Sequence, residues 1–209
     1  TVSDGTNLVG PIRSPDFSIS NAEPILVSWS IEPTKPSSSD IVYVNYSTFD
    51  PDGGEVIGEI EWTKNGVLAT TNEPNQISNL VRGDFWLASI ILTDSSEQKI
   101  RKILGSFIVE NSPPSILNAS FTSSGNQSEN LGVEYDIFDP DGDLVIVTAV
   151  WLRNNQIMEF ETNLEISSDE LISGDVWSVQ LTPNDALSDG IQVNLQIKIN
   201  NIKPIISIE

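Results

Sequence analysis

Short runs of alternating apolar and polar residues dominate the chain. Leu131, Val133, Tyr135 and Ile137 share one face of an extended segment, with Glu134 and Asp136 on the other, and Val42, Val44 and Tyr46 repeat the pattern upstream. Successive side chains of a strand point to opposite faces, so this period of two predicts half-buried β-strands. Further strands are predicted around Trp62 and Trp151, at Trp86, Ala88, Ile90 and Leu92, at Trp177, Val179 and Leu181, and at Val193, Leu195, Ile197 and Ile199. Asn65-Gly66 and Asn154-Asn155 follow the first two tryptophans. A two-residue hairpin turn needs positive φ at both positions, which Asn and Gly tolerate best. No 3.6-residue periodicity is sustained, so no helix is predicted.

The same landmarks occur twice. Val44-Asn-Tyr-Ser-Thr-Phe-Asp-Pro-Asp-Gly53 returns as Val133-Glu-Tyr-Asp-Ile-Phe-Asp-Pro-Asp-Gly142, an offset of 89. Trp62-Thr-Lys-Asn-Gly66 returns as Trp151-Leu-Arg-Asn-Asn155, and Gly83-Asp-Phe-Trp86 as Gly174-Asp-Val-Trp177. An Asn-x-x-Pro element stands at Asn21, Asn111 and Asn201, 90 apart both times. Ordered self-similarity at one period is the mark of a repeat architecture. It divides the chain into repeat 1 (21–110) and repeat 2 (111–200). Residues 1–20 read as the last strands of a preceding repeat or an N-terminal extension, since Asp4 precedes Asn21 as Asp94 precedes Asn111 and Gly10 lies 180 before Gly190. Residues 201–209, with the strand-like 204–209, read as the first strand of a following repeat or a C-terminal tail. The chain is expected to start and stop in mid-repeat, as a segment of a longer array would.

About 90 residues of short strands between turns is the pattern of an all-β sandwich. The landmarks resemble the immunoglobulin-like, cadherin-like tandem repeats of large bacterial and archaeal cell-surface proteins. The carrying residues are the Tyr-x-x-Phe-Asp-Pro-Asp-Gly loop, the Trp-x-x-Asn-Gly strand, the Gly-Asp-x-Trp strand start and the Asn-x-x-Pro linker. The resemblance implies tandem immunoglobulin-like, Greek-key β-sandwich domains.

Composition narrows the function. Thirty Asp+Glu against ten Lys+Arg give a net charge of −20, with no Cys, no His and one Met. Such a surface repels phosphate, so nucleic acid and anionic lipid are excluded as partners. Without Cys or His there is no disulfide framework, zinc ribbon, thiol nucleophile or imidazole base, and little for external metals and oxidants to attack. No run approaches the roughly 20 apolar residues of a membrane span. No phosphate loop or nucleophile elbow is present and the carboxylates cluster on exposed loops, so the chain reads as non-enzymatic.

The acidic loops are the candidate site. Asp50-Pro-Asp52-Gly and Asp139-Pro-Asp141-Gly-Asp143 set carboxylates at alternate positions around a bend, as calcium, which takes six to eight oxygens, requires. Under the resemblance these loops join strands B and C, and the loops holding Asp94 and Asp185 join F and G at the same end, beside Asn21 or Asn111. That implies Ca2+ at Asp139, Asp141, Asp143 and Asp185, and with weaker support at Asp50, Asp52 and Asp94, where Gly54 replaces Asp143 and only Glu55 stands nearby. The alternative is that Asp-Pro-Asp-Gly is simply a good turn.

Other motifs are weaker. The paired tryptophans read as core, whereas Trp29, whose counterpart is Ala119, reads as an interdomain contact or a partner-facing anchor. Arg82-Gly83-Asp84 spells an adhesive tripeptide, but its counterpart Ser173-Gly174-Asp175 makes Gly-Asp a turn element. Asn45, Asn118 and Asn126 fit the N-glycosylation acceptor. The leading expectation is a structural segment of an extracellular protein: surface layer (S-layer), stalk or adhesin shaft. Its partners would be other copies or other domains of the same surface protein, with a glycan or cell-surface ligand as a further candidate. Two rivals stand beside it. One is a filament subunit polymerising by strand addition through 1–20 and 204–209, and the other a carbohydrate-binding accessory module of a secreted enzyme, with Trp29 as platform.

Overall fold

The structure is a computed structural model and describes residues 2–3, 5–6, 8–9, 16–158 and 164–201. At the N-terminal end β1 (Val2–Ser3) pairs antiparallel with β2 (Leu8–Val9); Asp4, Gly10 and residues 204–209 lie outside the described residues. Two similar units follow. The first contains β3 (Ile25–Glu32), β4 (Val42–Phe49), β5 (Ile57–Lys64), β6 (Val67–Leu68), β7 (Gln76–Ile77), β8 (Phe85–Thr93) and β9 (Lys99–Ile108). They form one sheet in the order β3-β4-β7 and a second in the order β6-β5-β8-β9. The other unit contains β10 (Ser115–Phe121), β11 (Leu131–Phe138), β12 (Ile146–Arg153), β13 (Gln156–Ile157), β14 (Glu165–Ile166), β15 (Val176–Asn184) and β16 (Val193–Lys198). Its sheets run β10-β11-β14 and β13-β12-β15-β16. In each unit the chain crosses between sheets after its second strand, returns for one short strand and crosses again, which is a Greek-key β-sandwich. The protein is all-β with two tandem immunoglobulin-like sandwiches. A single 3-10 turn, Ser168–Glu170 capped by Ser167, is the one helical element among the described residues.

The tryptophans face inward. Trp62, Trp86, Trp151 and Trp177 are all buried, and Trp62–Trp86 and Trp151–Trp177 meet edge to face at 6.3 Å in both sandwiches. Such a pair adds about 1 kcal/mol beyond the burial of its area. Asn65 (φ 50°) with Gly66 (φ 83°), and Asn154 (φ 50°) with Asn155 (φ 66°), take the left-handed conformations the hairpin reading requires. Burial fades along β11: Leu131 is fully enclosed, but Ile137 is 45% exposed. The reason is that β14 pairs only with Leu131 and Gly132, so the far half of β11 has no neighbour on that side.

Candidate functional site

Each predicted loop is built by a carboxylate that folds back on its own backbone. Asp139 Oδ1 accepts from the amides of Asp141 (2.8 Å) and Asp143 (3.1 Å), while Gly142 bends the chain at φ 77°. Asp185 Oδ1 accepts from the amides of Leu187 (2.7 Å) and Ser188 (2.6 Å). One oxygen of each carboxylate thus holds the loop and leaves the other for the junction. Asp185 Oδ2 accepts from Asn111 Nδ2 at 2.7 Å, and Asp141 Oδ2 from the Ser112 amide at 2.8 Å. Asp139 Oδ2 is buried without a hydrogen-bond partner. Ligand oxygens of Asp139, Asp143 and Asp185 all lie within 4.8 Å of one another. Burial pushes the Asp185 carboxyl up, but the donors Asn111, Ser188 and Leu187 outweigh it and hold it at about 2.

Repeat 1 reproduces the linker clamp but not the cluster. Asn21 Nδ2 donates to Asp94 Oδ2 at 2.7 Å and the Ala22 amide to Asp52 Oδ2 at 2.6 Å, matching Asn111 and Ser112. The Asn21 bond is the chief reason that Asp94 titrates below its ordinary range. Asp50 accepts from the Asp52 amide, and Asp94 from those of Ser96 and Gln98. Gly54 is closed in: a Cβ there would lie 2.6 Å from Ser95 Oγ and 3.0 Å from Asp50 Oδ2. Glu55 is exposed, and among the described residues Asp50, Asp52 and Asp94 do not bring three carboxylates together as the second repeat does.

Sequence reasoning did not foresee the residue that enters the second cluster from outside. Arg82, in the last turn before β8, reaches across the junction. Its Nη2 donates to Asp143 Oδ1 at 3.0 Å, its Nη1 to Asp143 Oδ2, and Nη1 also donates to Asn111 Oδ1 at 2.6 Å. The hydrogen bond to Asp143, aided by the nearby charges of Asp141 and Asp139, pushes the guanidinium further above its ordinary range. The signal for it was present as two breaks in the repeat, Arg82 for Ser173 and Asp143 for Gly54.

The linker is tied to the first sandwich as well. The Glu110 amide donates to Pro36 O at 2.7 Å. Ser112 is buried, and its Oγ accepts from the Ser39 amide (3.0 Å) and lies 2.8 Å from Ser38 Oγ. At the far end of the second sandwich the Asn200 amide donates to Gly125 O at 2.8 Å, the same arrangement one repeat on.

The remaining candidates fall as follows. Asp84, the acid of the adhesive tripeptide, is bonded to Asn65 (2.9 Å) and Lys64 (2.6 Å), and Asp175 likewise to Asn154 and Arg153. With Arg82 also engaged, the tripeptide is a structural corner. Trp29 is not an interdomain contact. A bulge at Val27, where the register with β4 slips between Leu26 and Ser28, reverses the facing of the strand. Trp29 therefore turns toward β9 of its own sandwich, half exposed, with Nε1 donating to Leu104 O at 2.8 Å. Leu104 is itself bulged out of the β8–β9 register, which frees that carbonyl. Asn45 is exposed on β4. Asn118 is exposed and donates to Asp136 at 2.9 Å, whereas Asn126 is half-buried in a turn closed on Ser128.

No family model matches the chain, and no curated protein matches it. Solved structures similar to it are immunoglobulin and fibronectin type III modules. The N-terminal eight Ig domains of Down Syndrome Cell Adhesion Molecule are 14% identical over 87% of this chain and 24% of that one, with a TM-score of 0.41. The FN1–FN3 domains of chicken CNTN1 are 11% identical over 86% and 68%, at 0.37. The fibronectin(III)-like modules of Clostridium thermocellum CbhA are 10% identical over 87% and 100%, at 0.31. The likeness is one of fold, and no catalytic family is indicated.

Proposed function

We propose that this chain is a non-enzymatic structural segment of an extracellular repeat protein, a piece of surface layer, stalk or adhesin shaft in which sandwiches are joined end to end. The observation that carries this reading is Ser112. A single buried linker residue bonds through its amide to Asp141 of the second sandwich and through its hydroxyl to Ser38 and Ser39 of the first. A linker held on both sides transmits orientation, where a Gly/Ser-rich tether would not. The experiment is small-angle scattering of the chain and of a variant with four Gly/Ser residues inserted after Ser112. One well-defined elongated particle, lost in the insertion variant, supports the reading. A broad ensemble in the parent chain overturns it.

Calcium at the junction is a second reading, supported by the 4.8 Å convergence of Asp139, Asp143 and Asp185 and by the unpartnered Asp139 Oδ2. One cation with bonds of roughly 2.3–2.6 Å spans such oxygens. Asp139 and Asp185 would hold it, with Asp143 shared against Arg82. Specific binding raises the melting temperature by mass action, so calcium against chelator is the test, and Asp139→Asn should abolish the gain. No gain in the parent chain reduces these loops to turns.

A further inference from the structure

Arg82 and Asp143 are the two positions at which the repeats differ in a complementary way. At the corner before β8 repeat 1 carries Arg82 and repeat 2 carries Ser173; in the acidic loop repeat 2 carries Asp143 and repeat 1 carries Gly54. Only the pairing of repeat 1 followed by repeat 2 puts the guanidinium opposite the carboxylate. Ser173 has no cation to offer a following repeat, and Gly54 has no carboxylate to receive one.

We propose that Arg82 and Asp143 form an order-specific latch between these two repeats, in which the arginine of one sandwich supplies the counter-charge for the acidic loops of the next and fixes their relative orientation without a metal ion. Three observations converge on it. The contact is bidentate, the geometry in which the planar guanidinium fork matches a carboxylate and lysine does not. The same Nη1 holds the linker through Asn111 Oδ1 at 2.6 Å, and Asn111 in turn donates to Asp185 at 2.7 Å, so one side chain joins corner, linker and both acidic loops. The pair is partly buried, with side-chain exposures of 32% and 25%, so solvent screens it less than an exposed pair. Removing the arginine leaves Asp139, Asp141, Asp143 and Asp185 as an uncompensated group of like charges against the junction.

This inference rests on the reading of the chain as a stiff shaft, and the test separates the two. The chain has no cysteine, so thiols introduced at exposed Val67 and Ile157 are the only ones available for spin labels. The distance distribution between them is measured in chelator for the parent, Arg82→Gln, Asp143→Asn and the charge-swapped pair Arg82→Asp with Asp143→Arg. Amide spectra check that both sandwiches stay folded. A narrow distribution in the parent, at least twofold broader in each single variant and narrowed again in the swapped pair, is the expected result. Single variants as narrow as the parent, or a swapped pair as broad as the singles, overturn the latch alone. A broad parent overturns the stiff shaft and the latch with it.

Discussion

Asp185 offers the sharpest quantitative test of how the second sandwich holds its linker. In Asp185→Asn the amide oxygen can still accept from Leu187 and Ser188, but its Nδ2 then faces Asn111 Nδ2, donor against donor. Asn111 cannot turn over to relieve this without giving up Arg82, which donates to its Oδ1. The carboxyl sits at about 2 against an ordinary 3.8, and each pKa unit is worth about 1.4 kcal/mol, so the charged form adds about 2 kcal/mol to the folded sandwich. A depressed folded value means the contribution is complete above the ordinary 3.8 and is lost as pH falls through about 2. The assay is urea unfolding followed by amide signals of β12 and β15, from about pH 7 to about pH 2.5. The variant should be about 2 kcal/mol less stable at neutral pH, roughly 10 °C in melting temperature for a sandwich of this size. The gap should shrink to less than about 1 kcal/mol at the acid end, where the carboxyl is still partly ionised in the folded sandwich, with the first sandwich unaffected. An equal deficit at both ends of the range would mean a packing defect, and no deficit at neutral pH would mean the carboxylate is idle; either refutes the argument.

Other substitutions rank the remaining contacts. Trp151→Ala should cost the second sandwich about 3–5 kcal/mol, whereas Trp29→Ala, half exposed with one hydrogen bond, should cost the first about 1 kcal/mol; near-equal losses in chemical denaturation would contradict the difference in burial. Gly66→Ala has open space around it but φ of 83°, so it should lose about 1 kcal/mol from backbone conformation alone, read as a lower urea midpoint. Asn21→Ala and Asn111→Ala should each destabilise their own sandwich by about 1–2 kcal/mol. Only Asn111→Ala should also loosen the junction, because only Asn111 is bonded to Arg82, and two-label distance measurements would show it.

The sequence by itself determined the strands, the repeat and the core. Alternation of the kind seen at Leu131 and Val133 works because a pleated strand allows only two facings, and Asn65-Gly66 works because few residues accept positive φ. Both are local facts. The identical carboxylate clamps on Asn21 and Asn111 were also within reach, since they depend on loops that the repeat places at one end of each sandwich. Trp29 escaped because one bulged residue, Val27, reverses the facing of everything after it, and nothing in the composition announces a bulge. Convergence of the acidic loops was within reach only through the resemblance, which sets Asp139, Asp143 and Asp185 at one end of the second sandwich and leaves Gly54 in place of Asp143 in the first. Gly54 is closed in by Ser95 and gives the first repeat no counterpart of the Asp143 carboxylate, while Asp139, Asp143 and Asp185 meet in the second. Arg82 lies 61 residues before Asp143 and in another sandwich. The two residues were visible as departures from the repeat, but their pairing depends on how one sandwich is set upon the next, and only the tertiary structure decides that.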